Sequence, residues 1–293
     1  MKNIKTWSTP VIQEQRRSIP CPICGSSNFS PALECEGFSY VRCKDCSLVQ
    51  QNPQPDPEAI RARYRSRSSQ AYLQYELANE AAFLKLQQLG LRDGGFFNLE
   101  AKLLNHAACP PKILDIGCAT GALLAWLRDR GWDCAGIELC EPAAEYARNI
   151  RKLCIISGTI ESAGLPDNRM DVVLASHVIE HVNSPQSFVS EIYRVLKPGG
   201  YAFITTPSID GLQARLFGCR WRSAIFDHLY LFSKKTLKVL LENAGFTIES
   251  TVSWGGLARG CAPSPVKNLA DRLVKRYNWG DVVLMRGRKA FAQ

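Results

Sequence analysis

No stretch of the 293 residues approaches the roughly 18 consecutive apolar residues of a membrane-crossing helix, and the first 20, MKNIKTWSTPVIQEQRRSIP, lack the apolar segment of a secretory signal. Charged residues make up only 22% of the chain, too few for a disordered polyelectrolyte, and no internal repeat or low-complexity tract interrupts it. Histidine is scarce, so imidazole chemistry rests on His106, His177, His181 and His228 alone. These absences predict a folded cytoplasmic protein. At roughly 100–200 residues per domain, the length suits one full domain with a smaller companion.

Cysteine is not scarce: 12 are present, five of them before residue 50. In a reducing compartment clustered thiols are metal ligands more often than disulfides. Cys21-Pro22-Ile23-Cys24 and Cys43-Lys44-Asp45-Cys46 stand 18 residues apart, within the range of a four-thiolate zinc site. Four thiolates leave no open position, so this zinc would be structural, holding a loop-rich unit with almost no core of its own. Cys35 lies between the pairs without a partner and reads as a filler. Pro53, Pro55 and Pro57 make a stiff exit, and Asp56-Pro57 suits a helix start. The organisation expected is a zinc ribbon over 1–52, a helical linker over 53–108 and the main domain over 109–293.

From Lys112 short apolar runs alternate with helical periods, the pattern of a doubly wound, mostly parallel α/β sheet covered by helices on both faces. Ile113-Leu114-Asp115-Ile116 runs into Gly117-Cys118-Ala119-Thr120-Gly121 and then a helix, which places a ligand at the carboxyl end of the first strand of that sheet. The Gly-x-Gly-x-x-Gly dinucleotide pattern and the Lys-Ser/Thr pair of a phosphate loop are both missing. Glu138 ends the next strand, 17 residues after Gly121, where a carboxylate can accept both ribose hydroxyls. An adenosine-bearing ligand without phosphates fits these features.

At these residues the chain resembles the class I S-adenosylmethionine-dependent methyltransferases over about 109–293. The resemblance rests on LDIGCATG, Glu138, SGTIESAGLPDNRMDVVLASHVIEHV, LKPGG and HLYLFSKKTLKVLLENAGF. It implies a seven-stranded Rossmann-like sheet and S-adenosylmethionine as cofactor. Its binding residues would be Asp115, Gly117, Cys118, Gly121, Glu138, Leu139, Thr159 and Ile160, with Ser176 near the methionine end. Ala119 stands where many members have a third glycine. The N-terminal unit followed by NPQPDPEAIRARY is similar to the zinc-ribbon methyltransferases of bacterial polysaccharide and secondary metabolism, with Ser47 in place of the glycine common after the fourth cysteine.

The net charge of +9 is uneven: residues 209–293 carry +8 and 111–208 carry −2. Within 207–232, where this fold places its substrate cover, Arg220, Trp221 and Arg222 are the expected contacts for an anionic acceptor. His106, His177 and His181 read as packing or surface residues. The alternating Arg61, Arg63, Arg65 and Arg67 do not line one helical face and read as solvated. His228 is the expected general base, because ubiquinone-type O-methyltransferases carry a similar histidine before an aromatic and a helix cap, here Phe232 and Ser233. The reading is methyl transfer to an oxygen of an anionic small molecule or a saccharide- or lipid-linked intermediate. An RNA methyltransferase and a non-catalytic scaffold remain open, and net charge does not separate them.

Overall fold

The apolar runs after Lys112 do form a mostly parallel sheet with helices on both faces. The computed structural model describes residues 15–60, 68–106, 109–256 and 263–291. The run of arginines at 61–67 and the side chain of His106 lie outside the described residues.

The main sheet contains β6 (Lys112–Ile116), β7 (Asp133–Glu138), β8 (Cys154–Ser157), β9 (Met170–Ser176), β10 (Leu196–Pro207), β12 (Phe246–Trp254) and β13 (Val282–Lys289), in the spatial order β12-β13-β10-β9-β6-β7-β8. Neighbouring strands from β8 to β10 are parallel, and β13 runs antiparallel to both β10 and β12. Alternate residues of β9 face opposite sides. Val173 and Ala175 join a core with Leu114, Ile116 and Phe188, whereas Val172 and Leu174 join one with Ile113, Leu124 and Phe203. That two-sided burial explains why β9 reads as a continuous apolar run. Lys197-Pro198-Gly199-Gly200, expected as a turn before the fifth strand, is instead part of β10, with its register broken between Leu196 and Tyr201.

Helices α3 (Ala122–Arg128), α4 (Glu141–Asn149), α5 (Pro185–Val195), α6 (Leu212–Phe217), α7 (Lys234–Asn243) and α8 (Ser264–Tyr277) fill the connections. The Ser184 side chain caps α5 ahead of Pro185, and Ser233 forms a capping box with Thr236 on α7. Before the sheet, α1 (Ser68–Asp93) and α2 (Phe96–His106) follow one another across Gly94 and Gly95. Leu73 of α1 packs on Cys140 and on Ala143 of α4.

The N-terminal unit contains β1 (Arg16–Arg17), β2 (Phe29–Cys35), β3 (Phe38–Cys43), β4 (Val49–Gln51) and β5 (Gln54–Pro55). Its sheet is completed by β11 (Tyr230–Leu231), which follows the main sheet's fifth strand, in the order β11-β4-β3-β2. Cys21, Cys43 and Leu48 are buried in the same cluster as Tyr230 and Phe232. Cys35 is not a filler: it forms a disulfide with Cys219, Cα atoms 5.4 Å apart, tying the unit to the segment after α6. Sequence spacing could not show this, because the partners are 184 residues apart.

Candidate active site

Strand ends, a glycine turn and one helix of the presumed linker build the site. After β6 the backbone takes left-handed conformations at Gly117 (φ +73°), Ala119 (φ +47°) and Gly121 (φ +75°). A Cβ on Gly121 would lie 2.5 Å from Leu153 Cδ1, so the turn needs glycine for space as well as for angle. Ala119, the departure from the family pattern, adopts an angle that glycine reaches without strain; the cost to an L residue is about 1 kcal/mol. Ser47 at φ +71° departs in the same way.

Glu138, at the carboxyl end of β7, is buried and accepts hydrogen bonds from the Ala119 amide (2.8 Å, Oε2) and the Cys140 amide (2.7 Å, Oε1). It therefore ties the glycine turn to the start of α4. Asp115 is buried beside it, and its Oδ2 has no hydrogen-bond partner. Burial, with the Glu138 charge added, pushes the Asp115 carboxyl up to about 8, and burial also raises that of Glu138. Glu76 of α1 joins them: burial raises it to about 7, opposed by a Tyr72 hydrogen bond and reinforced by the charges of Glu138 and Glu80. Glu80 in turn accepts from Thr120 Oγ1 (2.7 Å) and from Arg151 (2.6 Å). Acids held this way, one with an unpaired buried oxygen, suit a ligand bearing positive charge and hydroxyl donors. S-adenosylmethionine carries both, so these residues fit it. The α1 contribution was missed from sequence because weak apolar periodicity hid Glu76 and Glu80 among solvated positions.

The other expected cofactor residues fall into two groups. Leu139, Thr159 and Ser176 are half-buried at or near strand ends, with the Thr159 amide donating to Ser162 Oγ at 3.0 Å. Cys118 and Ile160 are buried in the two cores, so only their backbones are available to a ligand. Gly117 lies against Val178, and an added Cβ would come within 2.6 Å of its Cγ2.

At the end of β9, His177 takes a left-handed conformation (φ +57°) and its side chain is 47% exposed. Its Nδ1 lies 3.2 Å from Glu180 Oε1, and Thr206 Oγ1 donates to Glu180 Oε2 at 3.0 Å. Glu180 is fully buried. Burial would raise its carboxyl, but the His177 hydrogen bond and charge, with His181 and His228 nearby, hold it down at about 2. It is therefore ionised at neutral pH and orients the His177 ring through Nδ1, leaving Nε2 outside that contact.

His228 is not the free imidazole expected. It is 7% exposed, and its Nδ1 donates to the Ser223 carbonyl at 2.8 Å. Burial, with the neighbouring His181 charge, lowers it to about 3 despite Glu180. Its ring meets that of His181 edge-on at 4.6 Å, and His181 Nδ1 donates to the Asp227 carbonyl at 2.9 Å. Glu180, His181 and His228 bring ligand atoms within 4.8 Å of one another, yet none of them holds a fully buried polar atom without a partner. The two Nδ1 atoms and both Glu180 oxygens are thus engaged by carbonyls, His177 and Thr206 outside the trio.

Trp221 is corrected from a substrate contact to a core residue: it is 1% exposed and packs with Tyr40, Val49 and Leu231. Arg220 and Arg222 are exposed, and Arg222 Nε lies 4.0 Å from the buried Asp281 carboxylate. Among the thiols, Cys21 Sγ is 3.3 Å from Cys46 Sγ and Cys24 Sγ is 3.5 Å from Cys43 Sγ, all four lying within 4.8 Å of one another. Tetrahedral zinc with bonds of about 2.3 Å fits this cluster.

Fold and site together define a doubly wound α/β protein with a cluster of buried acids at the strand ends. Residues 70–251 match the family described as "Methyltransferase domain", more than half of the chain, and the chain belongs to that family. It is 30% identical over 152 residues to a "Probable S-adenosylmethionine-dependent methyltransferase" of Mycolicibacterium smegmatis, covering 51% of this chain and 57% of that one. It is 34% identical over 103 residues to the ubiquinone biosynthesis O-methyltransferase of Idiomarina loihiensis, covering 32% and 42%. The chain thus spans about half the length of these curated relatives. A crystal structure of a SAM-dependent methyltransferase from Archaeoglobus fulgidus shares the fold, with a TM-score of 0.53 at 20% identity over 73% of this chain and 99% of that one.

Proposed function

We propose that the protein transfers the methyl group of S-adenosylmethionine to an oxygen of an anionic small molecule or a saccharide- or lipid-linked intermediate in the cytoplasm. The observation that carries this reading is the acidic site of Asp115, Glu138 and Glu76 beside an exposed histidine backed by a buried carboxylate. The cofactor supplies an electrophilic methyl group on a sulfonium. Asp115 and Glu138 bind its charged and hydroxyl portions, with Gly117, Gly121, Leu139, Thr159 and Ser176 and the backbones of Cys118 and Ile160 lining the rest. His177 accepts the proton of the acceptor hydroxyl at Nε2, while Glu180 fixes its orientation and stabilises the imidazolium that forms. His228, neutral and buried, braces the cover instead of removing the proton. Arg220 and Arg222 select the acceptor's negative charge.

A structural zinc on Cys21, Cys24, Cys43 and Cys46 completes the reading, with the chain divided into ribbon (1–52), linker (53–108) and transferase domain (109–293). The relatives named as O-methyltransferases support oxygen as the acceptor atom.

Purified protein given labelled S-adenosylmethionine and fractionated cell extract should place label in a small-molecule or lipid-linked fraction. With that acceptor, His177→Ala should lower kcat by ~10²–10⁴ while leaving cofactor affinity intact. His228→Ala should lower the melting temperature more than kcat. The opposite pattern would return the proton-transfer role to His228, and label entering RNA alone would overturn the acceptor class.

A further inference from the structure

Helix α8 leaves its apolar side uncovered. Val266, Leu269, Leu273 and Tyr277 are 53%, 58%, 40% and 51% exposed, while Val274 is the buried residue among the described side chains of the helix. At 100° per residue those four positions fall within an arc of about 80°. The stripe is therefore a continuous face rather than scattered exposure.

Its surroundings are aromatic and cationic. Tyr277 stacks on Trp279 with centroids 4.9 Å apart, and Arg215 of α6 lies 5.2 Å over the Trp279 ring. Leu216, next along α6, is 60% exposed. Arg272 and Arg276 are exposed and project along one edge of the stripe. The helix sequence holds four cations and a single acid, Asp271, and that acid is paired with Lys267 four residues before it.

We propose that α8, with Leu216 and Trp279 beside it, docks the protein on an anionic phospholipid bilayer. At 14 residues the helix is too short to span a membrane. An apolar stripe edged by arginines, with Tyr and Trp at one end, has the make-up of a helix lying in the headgroup plane. Charge decides between occupants. A second copy packed through the same face would bring Arg272 and Arg276 near their own counterparts with no unpaired helix acid to offset them, whereas anionic headgroups complement them.

The position is informative. The Leu212 amide donates to the Trp279 carbonyl at 3.0 Å, and the Gln213 amide donates to Asp281 Oδ1 at 3.3 Å. Asp281 is also the carboxylate nearest Arg222. The docking face thus borders the segment that carries Arg220 and Arg222. Docking of this kind sets where the enzyme works, whichever acceptor it uses.

The full chain should float with vesicles of phosphatidylcholine and phosphatidylglycerol, more weakly as salt is raised, and not with phosphatidylcholine alone. Both leucines are exposed, so Leu269→Glu/Leu273→Glu should fold and bind S-adenosylmethionine as the parent does while losing at least about tenfold in vesicle partitioning. Arg272→Gln/Arg276→Gln should lose about 25-fold, roughly fivefold per cation at an anionic surface. Failure of the parent to float with anionic vesicles overturns the proposal, as does equal floating of either variant. A dimer by light scattering that Leu269→Glu/Leu273→Glu converts to a monomer, without vesicle binding by the parent, would assign the face to self-association instead.

Discussion

Replacing Glu138 with Ala tests the cofactor site most directly, because two opposing energies meet at that carboxylate. It accepts from the amides of Ala119 and Cys140 at 2.8 and 2.7 Å, and bonds to a charged acceptor are worth ~1.5–3 kcal/mol each. Against them stands the cost of burying a charge beside Asp115, an effective penalty of several kcal/mol. These terms nearly cancel in the ligand-free protein, so its melting temperature should move by only a few degrees. Binding has no such offset. The variant loses the acceptor for the ribose hydroxyls and frees the glycine turn from α4, so one charged bond's worth of affinity, about 10- to 150-fold in Kd, should disappear. Glu138→Gln keeps one acceptor oxygen and should fall between. Calorimetric titration with S-adenosylmethionine measures the affinity, and thermal melts without ligand measure the fold. An unchanged Kd in Glu138→Ala would refute the reasoning, as would an affinity loss seen only where the protein has unfolded.

Three further outcomes are expected. Metal analysis of protein purified without chelator should find one zinc per chain, and Cys43→Ser should lose it together with solubility; full metal content in that variant would exclude the four-thiolate site. Arg220→Ala/Arg222→Ala should raise the KM of a charged acceptor while leaving cofactor affinity within about twofold, since both guanidiniums are exposed; an unchanged KM would make them solvated surface. The Asp115 carboxyl, raised to about 8 by burial and Glu138, holds its proton at neutral pH, and a cationic ligand favours the ionised form. Cofactor binding should therefore release a proton near pH 7 and weaken as pH falls below about 8. Binding heats that do not depend on the buffer's ionisation enthalpy would show that no proton is released.

The parts of this protein written locally were legible. Glycines at 117 and 121, the strand before them and the acid closing the next strand carry their geometry in a short window, and the structure places them at adjacent strand ends. The paired knuckles were legible for the same reason. Long-range pairings were not. Nothing near Cys35 points to Cys219, and nothing near Trp221 says that the ribbon will cover it. His228 sits in an irregular segment, but its ring is held by the Ser223 carbonyl and His181 while its own carbonyl accepts from Tyr40 and Gln51, 188 and 177 residues away. Glu180 carries no local signal, because its burial and its contacts with His177 and Thr206 exist only in the fold.

That buried glutamate links the N-terminal strands to the proposed base. The cover segment after α6 has little regular structure, so its carbonyls must find donors elsewhere. Tyr40 Oη donates to the carbonyls of Ile225 and His228, each at 2.9 Å, and Gln51 Nε2 donates to those of Phe226 and His228 at 2.8 and 3.0 Å. On the other side, the amides of Leu229 and Tyr230 donate to the Glu180 carbonyl at 2.7 and 3.2 Å. The Glu180 side chain meanwhile holds His177 and Thr206. One residue therefore joins the ribbon-braced cover by its backbone and the proposed base by its carboxylate. Any coupling from the knuckles to His177 by this route would be spread over several hydrogen bonds, each worth about 1 kcal/mol net, rather than carried by a single contact.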